Sequence, residues 1–153
     1  MSVFPSRYPF NFFYGIQEVA KRAQAFGMKI QYHNRHPLPA SKAGDAAYVS
    51  FDELISTSDV ISLNLALTHS TEHMIGAKEF EKMKDGVVIV NTARGALIDE
   101  KALIDALESG KVYSVGLDVF EDEPEVNPTL LKNDRVVLLP HIGAATIETM
   151  VGH

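Results

Sequence analysis

The sequence contains no cysteine. That excludes a disulfide framework and thiolate chemistry. Long hydrophobic runs are also missing, for none approaches the roughly 20 residues of a membrane helix. The opening MSVFPSRYPF has two prolines and no apolar signal-peptide core. A membrane span is therefore not expected, and with no targeting signal in view the expected location is cytoplasmic. Positive charge is in short supply, with 14 Lys and Arg against 20 Asp and Glu and a net charge of -6. This balance disfavours non-specific binding to nucleic acid or to anionic membranes.

What is present suits a soluble globular domain. The chain of 153 residues is 46% hydrophobic, enough for one sizeable core. Half of its eight Phe residues fall in the first 13 positions, so residues 1–13 read as an atypical aromatic segment. From residue 14 helix-like and strand-like segments alternate. GIQEVAKRAQAFG places Ile16, Val19, Ala20, Ala23 and Phe26 on one helical face and stops at Gly27. MKIQYHN, AAYVS, DVISLNLAL, VVIVNT, YSVGLDVF and RVVLLP read as strands. FDELISTS, AKEFEKMKDG and DEKALIDALESG read as helices, the last with acids in its first turn and Gly110 just past its end. EDEPEVNPTLLKND is a loop with a short helical turn at PTLLK. Val-, Ile- and Leu-rich strands separated by single helices predict an α/β fold with a parallel sheet covered on both faces.

In such a sheet, ligands bind beyond the carboxyl ends of the strands. The residues to inspect are Asn34 and Arg35, Ala66 and Leu67, Thr92, Ala93 and Arg94, Asp118 with Glu123, and His141. Arg94, after the most apolar strand, can fork onto a substrate carboxylate; it can equally cap strand-end carbonyls or pair with an acid. Glu123 can orient a histidine, while Glu121 and Asp122 read as a solvated acidic turn. His141, between Pro140 and a small-residue turn, is placed to carry a proton near neutral pH. The other histidines, 33, 36, 69, 73 and 153, read mostly as surface residues. His69 and His73 are four apart, but no acid or cysteine pattern around them supports a metal site. Arg94, Glu123 and His141 come from three separate strand ends facing one crevice.

VNTARGALIDEKALIDALESGKVYSVGLDVFEDEPEVNPTLLKNDRVVLLPHIGAAT resembles the signature region of the D-isomer-specific 2-hydroxyacid dehydrogenases. YHNRHPLP and SLNLALTHSTEHMIG are similar to its glyoxylate and hydroxypyruvate reductase branch, particularly the fungal type. The resemblance implies a Rossmann-type doubly wound parallel sheet and hydride transfer between NAD(P)H and a small 2-keto acid. It implies that Arg94 binds the keto acid carboxylate, that His141 is the acid and base, and that Glu123 pairs with it and favours its charged form. It places Asp118 near the nicotinamide carboxamide. Gly15, Asn34, Arg35, Leu65, Ala66, Thr92, Ala93, Arg94, Asp118, His141 and Gly143 become candidate cofactor contacts. The family is usually homodimeric.

An acid about 20 residues past the glycine loop normally holds the ribose 2'-hydroxyl of NAD. Here Asn34, Arg35 and His36 stand instead, and Arg35 can meet a 2'-phosphate. NADP(H) is thus favoured, with NAD(H) possible. The strand and glycine-rich loop that should precede Val19 are not recognisable. Gly15 is the one glycine near that place, and Tyr14, Ile16 and Gln17 are too bulky for close approach to a pyrophosphate. The sheet is therefore expected to lack its first strand and glycine-rich loop, with Phe10 to Tyr14 as a conceivable short substitute. On this reading residues 14–141 form an incomplete NAD(P)-binding domain, and residues 142–153 begin the return to a substrate domain. Activity is expected to be impaired. The alternative is a non-catalytic nucleotide-sensing or protein-binding module of the co-repressor type.

Overall fold

The apolar segments become strands and the amphipathic ones helices. In the computed structural model, which describes residues 2–5 and 12–146, the strands are β1 (Ser2–Pro5), β2 (Gln31–Tyr32), β3 (Ala47–Tyr48), β4 (Val60–Asn64), β5 (Val87–Asn91), β6 (Val112–Leu117) and β7 (Val136–Leu138). All pair in parallel, in the order β3-β2-β1-β4-β5-β6-β7. This is the Rossmann-type doubly wound order with one strand added, and the order reverses between β1 and β4. The helices are α1 (Phe12–Ala25), α2 (Ala40–Ala43), α3 (Phe51–Thr57), α4 (Ala77–Lys82), α5 (Glu100–Glu108) and α6 (Pro128–Leu131), with a single 3-10 turn at Gly95–Leu97. No helix among the described residues is long and apolar enough to cross a membrane.

The core follows from residue type and periodicity. Ile61, Ser62 and Leu63 of β4 are buried in succession, so both faces of the sheet are covered there. Leu54 and Ile55 of α3, and Leu103 and Leu107 of α5, pack into the same cluster as Ile89 and Val115. Each such side chain contributes about 1.5–3 kcal/mol of burial. Helix starts are fixed locally. Ser50 accepts the Glu53 N–H at 3.2 Å to cap α3, and Asp99 accepts the Ala102 N–H at 3.0 Å to cap α5.

The start of the chain departs from expectation. The slot for the first strand is not vacant: Ser2–Pro5 fills it, with Val3 opposite Tyr32 on one side and Ser62 on the other. β2 and β4 both present open edges there, and the extended Ser-Val-Phe run pairs with both. Pro5 is tolerated because it stands at the strand's last position, where the ladder ends. The substitute strand expected at Phe10–Tyr14 does not form, because residues 12–14 are already in α1. The expected boundary between residues 13 and 14 therefore falls inside that helix. The expected loss of the glycine-rich loop falls on residues 6–11, which lie outside the described residues, as do 147–153.

Two side chains expected on the buried face of α1 are exposed, Val19 and Phe26, the latter 88% exposed. Phe26 lies past the helix end, just before Gly27 turns the chain at a φ of 78°. The strand read over MKIQYHN shrinks to two ladder residues, with Ile30 and Tyr32 buried. The parallel arrangement brings all the inspected strand ends to one edge of the sheet.

Candidate active site

The first part of the site is a turn closing β5. Asn91 is 1% exposed and ends the strand. Its Oδ1 accepts the Ala93 N–H at 3.0 Å, and its Nδ2 donates to the Arg94 carbonyl at 2.9 Å. This side chain folds the backbone so that Arg94 leaves the sheet at its mouth. The Arg94 guanidinium donates to the Ala93 carbonyl at 2.6 Å. Among the described residues no carboxylate lies within ion-pair distance of it. Of the two local roles open to Arg94, carbonyl capping is therefore observed and pairing with an acid is not. One donor is used, and a guanidinium has five.

Gly95 follows because nothing larger fits. A Cβ there would stand 1.9 Å from the Phe120 carbonyl carbon and oxygen and 2.4 Å from the Glu121 nitrogen. The Arg94 turn is thus wedged against the peptide that leads away from β6.

The second part is that β6 exit. The Phe120 N–H donates to Glu123 Oε1 at 3.0 Å, and Glu123 Oε2 pairs with His141 Nδ1 at 2.8 Å. The His141 hydrogen bond, followed by the Phe120 bond, holds the Glu123 carboxyl below the usual glutamate range, and Arg94 adds a smaller pull. A carboxylate on Nδ1 assigns the proton there. Nε2 then accepts from a ligand when the ring is neutral and donates when it is charged.

His141 has a φ of 55°, in the left-handed region. Asp118 holds the backbone beyond it. Its carboxylate is buried, accepting the Ile142 N–H at 2.9 Å on Oδ1 and the Gly143 N–H at 2.8 Å on Oδ2. A Cβ on Gly143 would come within 2.7 Å of that second oxygen. Asp118 thus fastens the loop that carries His141.

Arg94, Glu123 and His141 line one open hollow of about 530 Å³ with Leu67, Gly95, Phe120 and the acids Glu121 and Asp122. The arrangement offers a cation for an anionic group, and a carboxylate-held imidazole beside it. The other expected contacts are more dispersed. Leu65 and Ala66 are half-buried beyond β4, where the Ala66 carbonyl accepts the Thr71 hydroxyl at 2.9 Å. Thr92 is exposed and Ala93 buried. Asn34 and Arg35 stand at the end of β2, across β1 from the hollow. Asn34 Oδ1 accepts the Arg35 backbone N–H at 2.9 Å, and its carbonyl accepts the Tyr48 hydroxyl at 3.0 Å. The exposed Arg35 guanidinium makes no hydrogen bond or ion pair among the described residues. Gly15 sits in the first turn of α1 rather than in a loop.

Three residues of this edge escape a reading by sequence. Asn91 was signalled only by an amide at the end of an apolar strand, an Asx-turn pattern. Glu121 is not a solvated acid, for its Oε1 meets His73 Nε2 at 2.6 Å and its Oε2 accepts the Glu100 N–H at 3.2 Å. His73 is exposed, as expected, but its ring is paired. The two are 48 apart in sequence, so no local pattern reveals the pair.

Comparison with known proteins identifies the family. The D-isomer specific 2-hydroxyacid dehydrogenase NAD binding domain matches residues 16–143. The chain is 68% identical over 133 residues to 4-methyl-2-oxopentanoate reductase A of Aspergillus oryzae, covering 87% of this chain and 40% of that one. It is 52% identical over 132 residues to glyoxylate reductase 1 of Saccharomyces cerevisiae, covering 86% and 38%. The crystal structure of a glyoxylate reductase from Paecilomyes thermophila superposes with a TM-score of 0.88 at 63% identity, over 98% of this chain and 44% of that one. The chain thus spans about two fifths of the length of the relatives it matches. These relatives are named as reductases, the first of the two readings drawn from the sequence. The chain belongs to the D-isomer-specific 2-hydroxyacid dehydrogenase family and corresponds to its NAD-binding domain.

Proposed function

We propose that the chain forms the nucleotide-binding and acid-base part of an NADPH-preferring 2-keto acid reductase of the glyoxylate and hydroxypyruvate type. The observation that carries this reading is the hollow shared by a carboxylate-held histidine and an arginine that makes no ion pair among the described residues. Arg94 holds the carboxylate of the keto acid by a forked pair of hydrogen bonds, which fixes the face of the carbonyl. His141, charged and steadied by Glu123, donates its Nε2 proton to the carbonyl oxygen as that oxygen gains charge. A bound reduced nicotinamide would supply the hydride to the carbonyl carbon. The product is a 2-hydroxy acid, and His141 leaves the step neutral. Asp118 and Gly143 keep the His141 loop in place. Leu65, Ala66, Thr92 and Ala93 are the strand-end residues over which the cofactor would lie.

The donor set at the end of β2 fits a 2'-phosphate. Arg35 is exposed and, among the described residues, has no acid within ion-pair distance, and Asn34 supplies an amide in place of the carboxylate that would repel a phosphate. Support at the pyrophosphate is of a different kind, because SRYPFN contains no glycine. The N-terminus of α1 is one device there for holding phosphate. Oxidation of NADPH by the purified chain in the presence of glyoxylate tests the reading. His141→Ala and Arg94→Ala should each lower the rate at least about a hundredfold. A rate unchanged in the His141 variant contradicts the proposal. The homodimer usual in the family is proposed here too, and sedentation of the purified chain with cofactor decides it by mass.

A further inference from the structure

Among the described residues, the two with positive φ other than glycine are His73, at 48°, and His141, at 55°. Each is paired to a carboxylate of the same short loop, His141 to Glu123 and His73 to Glu121. Non-glycine residues held in this region cost energy that the surroundings must over-determine. The second pair lies outside the roles assigned above.

Glu121 joins four segments. Its Oε1 takes the His73 ring at 2.6 Å, and its Oε2 takes the first N–H of α5, from Glu100, at 3.2 Å. The backbone of His73 donates to the Ala96 carbonyl at 2.8 Å, in the turn just past Arg94. The peptide joining Phe120 to Glu121 packs on Gly95 with no room for a Cβ. The N–H of Phe120, on that same residue pair, holds Glu123 Oε1 at 3.0 Å. A slip of Glu121 therefore moves both the wall behind Arg94 and the donor that seats Glu123.

We propose that Glu121, anchored by His73, is a positioning residue that sets the spacing between the Arg94 turn and the Glu123–His141 pair. The inference rests on the roles proposed above for those three residues. Glu121 also lines the hollow, and the role proposed here runs through Phe120 and Gly95. A carboxylate suits this task because it offers two acceptor oxygens, one to the His73 imidazole and one to the Glu100 N–H. Its place beside the first turn of α5 also suits a negative charge.

The test is a carboxyl-carbon NMR titration of Glu123 in the full 153-residue chain. Removing the neighbouring negative charge by Glu121→Ala would, by electrostatics alone, move the Glu123 midpoint down. Loss of positioning does the reverse, because the Phe120 and His141 bonds that hold the carboxyl ionised are weakened. The expected result is a midpoint that rises toward the ordinary glutamate value. A midpoint that stays or falls overturns the proposal. Where Glu121→Ala does not melt cooperatively, the His73 variants decide. His73→Ala should raise the midpoint and His73→Gln, which keeps a donor of similar reach, should restore it; equal midpoints in the two variants overturn the proposal. The titration needs neither cofactor nor keto acid. Failure of reductase activity therefore leaves it standing, and its failure leaves the reductase reading intact.

Discussion

Gly95→Ala is the sharpest probe of how the site is assembled. The added Cβ would lie 1.9 Å from the Phe120 carbonyl carbon and oxygen and 2.4 Å from the Glu121 nitrogen. Ordinary contact needs about 3.5 Å or more, so the two turns must part by roughly 1.5 Å. The obstacle is backbone, which cannot rotate away as a side chain would. Overpacking of this kind costs about 1–3 kcal/mol, and more where the backbone cannot yield. In a chain of this size that lowers the melting midpoint by roughly 3–10 °C. The same displacement carries Arg94 away from His141, and a misplacement of about 1 Å can cost a hundredfold in rate. Thermal melts followed by circular dichroism give the first quantity, and glyoxylate-dependent NADPH oxidation the second. Gly116→Ala is the control, for a Cβ on that β6 residue meets nothing within 4 Å. Its midpoint should move by little or rise. A Gly95→Ala chain that melts with the wild type and keeps its rate would refute the close packing of the two turns.

Other outcomes follow from single residues. Asp118→Asn keeps one acceptor but turns an amide donor toward a backbone N–H, so urea denaturation should show a loss of about 1.5–3 kcal/mol. Glu123 is held ionised in the folded state, so its contribution is present above the ordinary glutamate range and is lost as pH falls through its lowered value. Urea midpoints of the wild type and Glu123→Gln should accordingly differ at neutral pH and converge in acid; a constant gap counts against the pair. Arg35→Ala should weaken NADPH roughly 10- to 100-fold, the worth of a charged hydrogen bond of about 1.5–3 kcal/mol, and leave NADH unchanged. Equal losses for both cofactors would remove Arg35 from 2'-phosphate recognition.

Much of the fold was legible because hydrophobic period and caps are local signals. VVIVN and VISLN have no choice but burial, and the Asp99 cap and Gly110 turn bracket α5 where the sequence places them. β1 was not legible, because four residues carry little periodicity and their strand character comes from two waiting neighbours. The ends of α1 misled for a related reason: Phe26 has the right spacing for a buried face, but the helix stops before it. In the site, Arg94, Glu123 and His141 could be named from their strand ends, and they do share one hollow. Asp118 reads from the sequence as a cofactor contact, and its carboxylate ties down the His141 loop. Glu121 looked like one acid in a run of three, since its partners His73 and Glu100 come from distant segments.

The proposed function requires this chain to hold a dinucleotide and to prefer the phosphorylated one. Calorimetric titration of the purified chain with NADPH and with NADH, at one salt concentration, tests it most directly. Both should bind, and NADPH more tightly. A folded chain that binds neither, or that binds NADH more tightly, would contradict it.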